Sequence, residues 1–341
     1  RCFVERHCPG GPAETCATHR DGTSVACGKC QAGTFLDATN ACRSCDHDGW
    51  SDWIPVLLCV LVAAVGLVVV VFLVNQDILQ EQNATITCAS VAGLTVTGLQ
   101  TLGMFDSLSV TFTSPLSDML QVLSLLSFNI RLRSDCFHGH DVLQNYVLRQ
   151  LILPMCLLVV AVLLGIKTRL KHGYLLALTN TTGTILSIVF ISVVISTITP
   201  LILYEHPSGN GWSVRTHPSV LLGSSEFAFL LLVAIVSFLL LVLPFVTVVV
   251  YATVMYPRFV CSFAGTWQLL AFRFLFFRFR PSSFYYGAFV MTRSLLLCLV
   301  PVVIQDNPAT QMMVMSVVIL AGLVLQALTR PWKNRLTNIF D

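Results

Sequence analysis

WIPVLLCVLVAAVGLVVVVFLV, residues 53–74, is an apolar run of 22 residues without a charged side chain. As an α-helix rising about 1.5 Å per residue it reaches about 33 Å, enough to cross a hydrocarbon core of about 30 Å. It directly follows residues 1–50, which hold seven cysteines. This junction predicts a cysteine-rich ectodomain, residues 1–50, joined to a multi-span membrane domain, residues 51–341.

The composition of the chain also indicates a membrane protein. Of its 341 residues, 55% are hydrophobic and 11% are charged, and the mean hydropathy is +0.78. Soluble domains contain about 25% charged residues. We therefore expect a polytopic protein in contact with the lipid bilayer, with an all-α transmembrane helix bundle as its fold class.

Apolar runs bounded by proline, glycine and charged residues predict six further spans, which gives about seven in all. They cover residues 86–105, 147–166, 175–203, 220–254, 284–304 and 309–328. The longest of them is expected to tilt, project or break near Pro244. A shorter apolar segment, residues 115–128, is too short to cross and is expected to be re-entrant or to lie at the outer interface.

The basic residues predict the orientation of the spans. With the head outside, three cytoplasmic segments carry ten of the 20 lysines and arginines, whereas the outer loop at residues 205–218 carries only Arg215. This agrees with the positive-inside rule, although Arg131 and Arg133 fall outside. We expect an extracellular or lumenal N-terminus, in the plasma membrane or another membrane of the secretory pathway. We also expect a signal peptide before Arg1.

The head is too poor in large aliphatic residues to fold without cross-links, so its cysteines are expected to form disulfides. Two CxxC pairs leave a zinc site as an alternative. Because seven is an odd number, one cysteine is unpaired, pairs outside the given chain, or pairs with another loop on the same side. The predicted disulfide residues are Cys2, Cys8, Cys16, Cys27, Cys30, Cys42, Cys45 and, as the candidate from another loop, Cys136.

Arg293 lies near the middle of the sixth predicted span. A charged side chain at that depth costs about 2.5 to 3.5 kcal/mol on insertion scales, so it must face protein or water. Glu226 in the fifth span is the candidate partner for an intramembrane ion pair. A role in gating or permeation, and contact with water, are the alternatives.

Hydroxyl side chains recur on one side of the fourth span, at Thr184, Ser192, Ser196 and Thr199. Such a row lines a polar path or lets helices pack closely, and packing is the interpretation that we favour.

Residues 267–280, WQLLAFRFLFFRFR, combine six aromatic residues with three arginines. We expect an interfacial segment in which Arg273, Arg278 and Arg280 face anionic lipids of the cytoplasmic leaflet.

The sequence contains no HExxH, GxSxG, P-loop or dinucleotide-binding motif. We therefore expect no enzymatic activity and no catalytic residues. We also expect no cofactor, no bound metal and no nucleic-acid partner.

Two resemblances suggest a function. Cys27-Gly-Lys-Cys30-Gln-Ala-Gly33-Thr-Phe35 followed by Cys42-Arg-Ser-Cys45 resembles the ephrin-receptor-like repeats of the EGF-related class. The C-terminal third resembles the membrane domain of TRP-like and polycystin-related proteins of fungi, algae and protists. The second resemblance rests on Phe279-Arg-Pro281, Phe284-Tyr-Tyr286, Arg293, Asp306, Gln311, Arg330-Pro-Trp-Lys333 and Asn338-Ile-Phe-Asp341.

The TRP-like resemblance implies a cation channel or channel-like subunit whose chain continues into at least one more helix after Asp341. A homo-oligomer, other membrane subunits and an extracellular protein are the partners that it allows. Two alternatives use the same layout without a pore. They are a seven-span receptor or adhesion protein, and a membrane anchor of a larger extracellular assembly.

Overall fold

The computed structural model describes most of the chain. The described residues are 15–36, 41–45, 61, 64–71, 83–108, 119, 142–168, 173–206, 211–262, 265–305, 307–333 and 337–338. The predictions for Cys2, Cys8 and Cys136 lie outside these residues. So does the predicted short helix at residues 115–128, apart from Met119.

Five of the described helices are long and apolar enough to cross a membrane, so the chain is a multi-pass membrane protein of mainly helical fold. They are Val142–Thr168, Tyr174–Leu201, Ser225–Cys261, Pro281–Val303 and Pro308–Thr329. Each overlaps one predicted span.

The number of candidate spans falls short of the predicted seven. Most of the first predicted span, residues 53–74, lies outside the described residues, although residue 61 and residues 64–71 are helical. The second is a helix of 21 residues, Asn83–Gly103, but it is not among the five. Its threonines, its glycines and Gln100 make it less apolar than the other long helices.

We number the helices from the N-terminal side of the described bundle. They are α1 (Asn83–Gly103), α2 (Val142–Thr168), α3 (Tyr174–Ile198), α4 (Ser225–Ser237), α5 (Leu243–Cys261), α6 (Gly265–Ala271), α7 (Arg273–Phe276), α8 (Tyr286–Val303) and α9 (Pro308–Thr329). A short 3-10 turn, Thr199–Leu201, extends α3. The head and a three-stranded sheet complete the described fold.

Helix α3 is the centre of the bundle. In its most apolar stretch 67% of the residues are buried, against 17% to 39% in the other four candidate spans. Helices α1, α2 and α8 pack directly against it. The other spans therefore turn most of their apolar surface outward, as expected for helices that face lipid.

The longest span does not break at Pro244. It runs from Ser225 to Cys261, and residues Phe238–Val242 within it are π-helical. Proline has no amide proton and its ring collides with the carbonyl one turn earlier, so a widened turn just before Pro244 lets the helix continue. The helix begins after Ser224, whose hydroxyl accepts a hydrogen bond from the Phe227 amide at 3.1 Å.

The head is a small disulfide-bonded unit. Strands β1 (Thr34–Leu36) and β2 (Cys42–Ser44) form an antiparallel hairpin. Disulfides join Cys16 to Cys27 and Cys30 to Cys42. Because both CxxC pairs give a cysteine to these bonds, the alternative of a four-cysteine zinc site is wrong.

A three-stranded antiparallel sheet follows α3, so the prediction of an all-α membrane domain is incomplete. Its strands are β3 (Leu203–Glu205), β4 (Trp212–Val214) and β5 (His217–Leu221). Strands of three to five residues are too short to show a clear alternation of apolar and polar residues. Val214 and Val220 bury the sheet against Tyr146 and Phe227 at the ends of α2 and α4.

The two ends of the bundle differ in chemistry. One end, which we call the head face, carries the sheet and the head. The opposite end, the basic face, carries Lys167, residues 265–280 and the chain after α9. We call residues 265–280 the arginine-rich segment. It is joined to the chain after α9 by a backbone hydrogen bond of 2.8 Å from Arg280 to the Pro331 carbonyl.

Candidate functional site

Arg293 and Glu226 do not form the predicted ion pair. Arg293 lies seven residues from the start of α8, which begins at the basic face, and its side chain packs against Gly322 of α9. Glu226 lies in the first turn of α4 at the head face, where its carboxylate is 3.7 Å from the Lys29 ammonium group. Glu226 therefore lies at the head face and Arg293 at the middle of its span, each against a different neighbour.

Arg293 instead lines a cavity of about 170 Å³ between helices α1, α3 and α8. We call it the arginine cavity, because Arg278 of the arginine-rich segment also lines it. No acidic residue occurs in its lining within the described part of the chain. A cavity of about 150 Å³ holds a molecule the size of benzene, so there is room for one small chemical group.

The walls of the arginine cavity are made of small and hydroxyl-bearing residues. Helix α1 gives it a face of residues spaced three and four apart, and α3 and α8 each give a serine. These residues are Ser90, Gly93, Thr97, Gly98 and Thr101 of α1, Ser187 of α3 and Ser294 of α8. Phe274, Phe279 and Trp332 lie in its lining toward the basic face.

The arginine-rich segment is folded into the bundle more deeply than an interfacial segment. Phe274 is buried against Gly183 of α3, and its amide donates a hydrogen bond of 3.0 Å to the Asn180 side-chain oxygen. A Cβ atom on Gly183 would lie 2.2 Å from the Phe274 ring. The glycine is therefore what lets this ring approach α3.

The three arginines of this segment do not share one lipid-facing surface, as the prediction had required. Arg273 lies over the Phe277 ring at 5.8 Å, Arg278 lines the arginine cavity, and Arg280 is exposed. Burial lowers the pKa of Arg278. An arginine nevertheless stays protonated in proteins, so the cavity keeps this positive charge.

The hydroxyl row on α3 lies in packed protein. The Thr184 and Thr199 hydroxyls donate to carbonyls of their own helix, and Ser192 is completely buried. The Ser196 hydroxyl accepts a hydrogen bond of 2.9 Å from Gln150 of α2. None of the four lines the arginine cavity. The polar-path interpretation is therefore not supported, and the geometry agrees with close packing.

A polar contact between α2 and α3 was not predicted from the sequence. The Tyr146 hydroxyl lies 3.2 Å from the Ser196 carbonyl, and the Gln150 side chain donates to that carbonyl at 3.0 Å. Arg149, between them, borders a second and much smaller cavity of about 20 Å³. The signal was a pair of polar residues spaced four apart at the edge of an apolar run. Helix α2 begins five residues before the predicted span and includes both residues.

Within the described residues, the head contacts both the sheet and the start of α4. Gly28 lies against β5, where a Cβ atom on it would be 3.0 Å from the Ser219 amide nitrogen. Lys29 reaches Glu226 at the start of α4. Cys45, the last cysteine of the head, is also disulfide-bonded. The head is therefore held against the sheet and the longest span.

No protein-family model matches the chain, and comparisons with curated proteins and with solved structures found no significant match.

Proposed function

We propose that this protein is a receptor-type multi-pass membrane protein, in which a head outside the membrane acts on the helix bundle. The main supporting observation is the position at which the head contacts the helix bundle. Its Val25–Cys27 turn packs on β5, and Lys29 faces Glu226 in the first turn of a span of 37 residues. A ligand or protein that moves the head would therefore act on the end of the longest helix.

Aromatic contacts extend from this helix to the basic face. The Phe245 ring of α5 lies 5.8 Å from Phe190 of α3 and 6.4 Å from Phe274 of the arginine-rich segment, measured between ring centroids. We infer that these packed rings couple the two elements, which the experiment below tests. This route leads from the head face to the segment that bounds the arginine cavity.

A TRP-like cation channel subunit is the second candidate. The arginine cavity carries two positive charges, which oppose the passage of cations, and the α3 hydroxyls are packed. A cation pore would therefore lie between copies of the chain. The largely exposed apolar surfaces of α2, the α4–α5 span and α9 offer area for such contacts, as they do for lipid.

A disulfide that locks the head to the sheet tests the proposal. In the variant G28C/S219C, the new Cβ at position 28 would lie 3.4 Å from that of residue 219, close to the separation of about 3.5 to 4.5 Å in disulfides. An R280C substitution in the same chain places a fluorophore at an exposed site on the basic face. The labelled protein is reconstituted in liposomes, and its fluorescence is recorded before and after mild reduction of the lock.

We expect reduction of the lock to change the fluorescence at position 280, while the matched variants with only G28C or only S219C show no change. An unchanged signal in the locked protein would contradict coupling and favour an anchor. Cation flux in the same liposomes separates the two candidates, because flux that responds to the lock would favour a channel over a receptor.

A further inference from the structure

The arginine cavity is the feature that the proposed function leaves unexplained. It brings Arg278 and Arg293 into one lining without an acidic residue in the described part of the chain. No hydrogen bond or ion pair joins either guanidinium group to another described residue. Two like charges in a small cavity repel each other, and an anion between them removes that repulsion.

The cavity lies where two helices leave a gap. Helices α1 and α8 both pack on α3 but make few direct contacts with each other, so the cavity occupies the space between them. Arg293 lies about 10 Å from the start of α8, at about 1.5 Å per residue. Both arginines line this gap, Arg278 nearer the basic face and Arg293 deeper in the bundle.

The donors that the described lining offers to a ligand are these two arginines and the Ser90 and Ser294 hydroxyls. The Thr97, Thr101 and Ser187 hydroxyl protons are already donated to carbonyls of their own helices, at 3.0, 2.8 and 2.7 Å. Gly93 and Gly98 leave the wall of α1 without side chains, and a Cβ on either would meet no other atom within 4 Å. The site is therefore open in shape and positive in charge.

We propose that the arginine cavity binds a phosphate group, supplied by the headgroup of an anionic phospholipid or by a small water-soluble phosphate compound. Guanidinium groups match the oxygen geometry of phosphate with paired hydrogen bonds. The volume of about 170 Å³ accepts such a group but not the acyl chains of a lipid, which would remain outside between α1 and α8. The exposed Lys333 at the same face adds a positive charge that attracts anions.

The test measures the thermal stability of the full protein in phosphatidylcholine nanodiscs. One arm includes phosphatidylinositol bisphosphate in the nanodisc, and the other adds inositol hexakisphosphate or inorganic phosphate to the solution. The variants are R278Q and R293Q, with R280Q as the matched control from the same segment. R293Q removes a charge from within a span. If this variant misfolds, R278Q and R278K are compared with the wild type without it.

We expect the anionic ligand to raise the melting temperature of the wild type and of R280Q. In R278Q and R293Q the apparent affinity should fall at least about tenfold, as expected when a charge-assisted hydrogen bond is lost. The affinity of R278K should lie between those of the wild type and R278Q. A response in the lipid arm alone identifies a headgroup, and a response in the soluble arm identifies a water-soluble phosphate. Equal responses in wild type, R278Q and R293Q, or no response in either arm, would overturn the proposal. The head lock is not part of this test, so the two proposals fail separately.

Discussion

Gly183 shows how a single residue places the arginine-rich segment. A side chain at this position would enter the space of the Phe274 ring, and the Asn180 amide oxygen one turn earlier receives the Phe274 amide proton. The two residues together hold the segment against α3. A buried glycine in an apolar helix gives no indication in the sequence of which residue approaches it, so this contact was not predictable.

The substitution Gly183→Ala is expected to lower the free energy of unfolding by about 1 to 3 kcal/mol, the usual cost of adding a group to a packed interior. The Phe274 ring must shift, because the new Cβ would lie 2.2 Å from it. Thermal unfolding of the purified protein in nanodiscs measures the effect.

The control is Gly173→Ala, just before the start of the same helix, where a Cβ meets no other atom within 4 Å. Adding Phe274→Leu to Gly183→Ala should restore part of the lost stability, because the smaller side chain leaves space for the added Cβ atom. If Gly183→Ala and Gly173→Ala melt at the same temperature, the packing of Phe274 on α3 is not as described.

Arg293 marks the limit of sequence reasoning at the scale of residues. The cost of a charge inside a span correctly required that Arg293 face protein or water, and the structure places it in a cavity. Its partner was predicted wrongly. Depth along the helix and rotation about its axis decide which residues meet, and neither is visible for two helices far apart in the sequence.

At the scale of elements, the long apolar helices were predictable and the short strands were not. Hydropathy over about 20 residues is a local property, so all five candidate spans coincide with predicted ones. The sheet β3–β5 consists of strands that are stabilised by the ends of α2 and α4. That stabilisation depends on tertiary contacts, which single-sequence patterns do not contain.

The sheet is expected to lose stability as the pH falls, because of His206. Burial lowers the pKa of His206, whose side chain hydrogen-bonds with the Ser213 hydroxyl at 2.8 Å. The folded sheet therefore keeps the imidazole neutral where an unfolded sheet would protonate it. The stabilisation is complete above the ordinary pKa of about 6.5 and decreases as the pH falls from there toward the lower folded value.

Hydrogen exchange of the β3–β5 amides measured between pH 7.5 and pH 5, with rates corrected for intrinsic pH dependence, checks this prediction. Protection should decrease toward the acid end in the wild type, whereas His206→Gln, which keeps a hydrogen-bonding side chain but does not titrate, should show a flatter profile. Profiles of equal slope in the two proteins would assign the pH dependence to another group.

At the scale of the whole molecule, the charge distribution matches the architecture. The head and the sheet occupy one end of the bundle, and Lys167, the arginine-rich segment and Lys333 occupy the other. A positive end is favoured on the cytoplasmic side during insertion, and a disulfide-bonded head requires an oxidising compartment. Two independent arguments therefore predict the same orientation, and we propose that the head is extracellular or lumenal.

Cysteine accessibility in intact cells tests this orientation. Glu205→Cys lies on the exposed edge of the sheet at the head face, and Arg280→Cys lies exposed at the basic face. A membrane-impermeant maleimide added from outside should label position 205 and leave position 280 unlabelled until the membrane is permeabilised. Native Cys261, which is also exposed and lies at the end of α5, should follow position 280. It is replaced by serine in the background used for the two variants.

Labelling of position 280 in intact cells, with position 205 protected, would reverse the orientation and place the head and its disulfides in the cytoplasm. Labelling of position 205 alone would place the arginine cavity in the half of the bundle nearer the cytoplasm, where anionic lipids are concentrated.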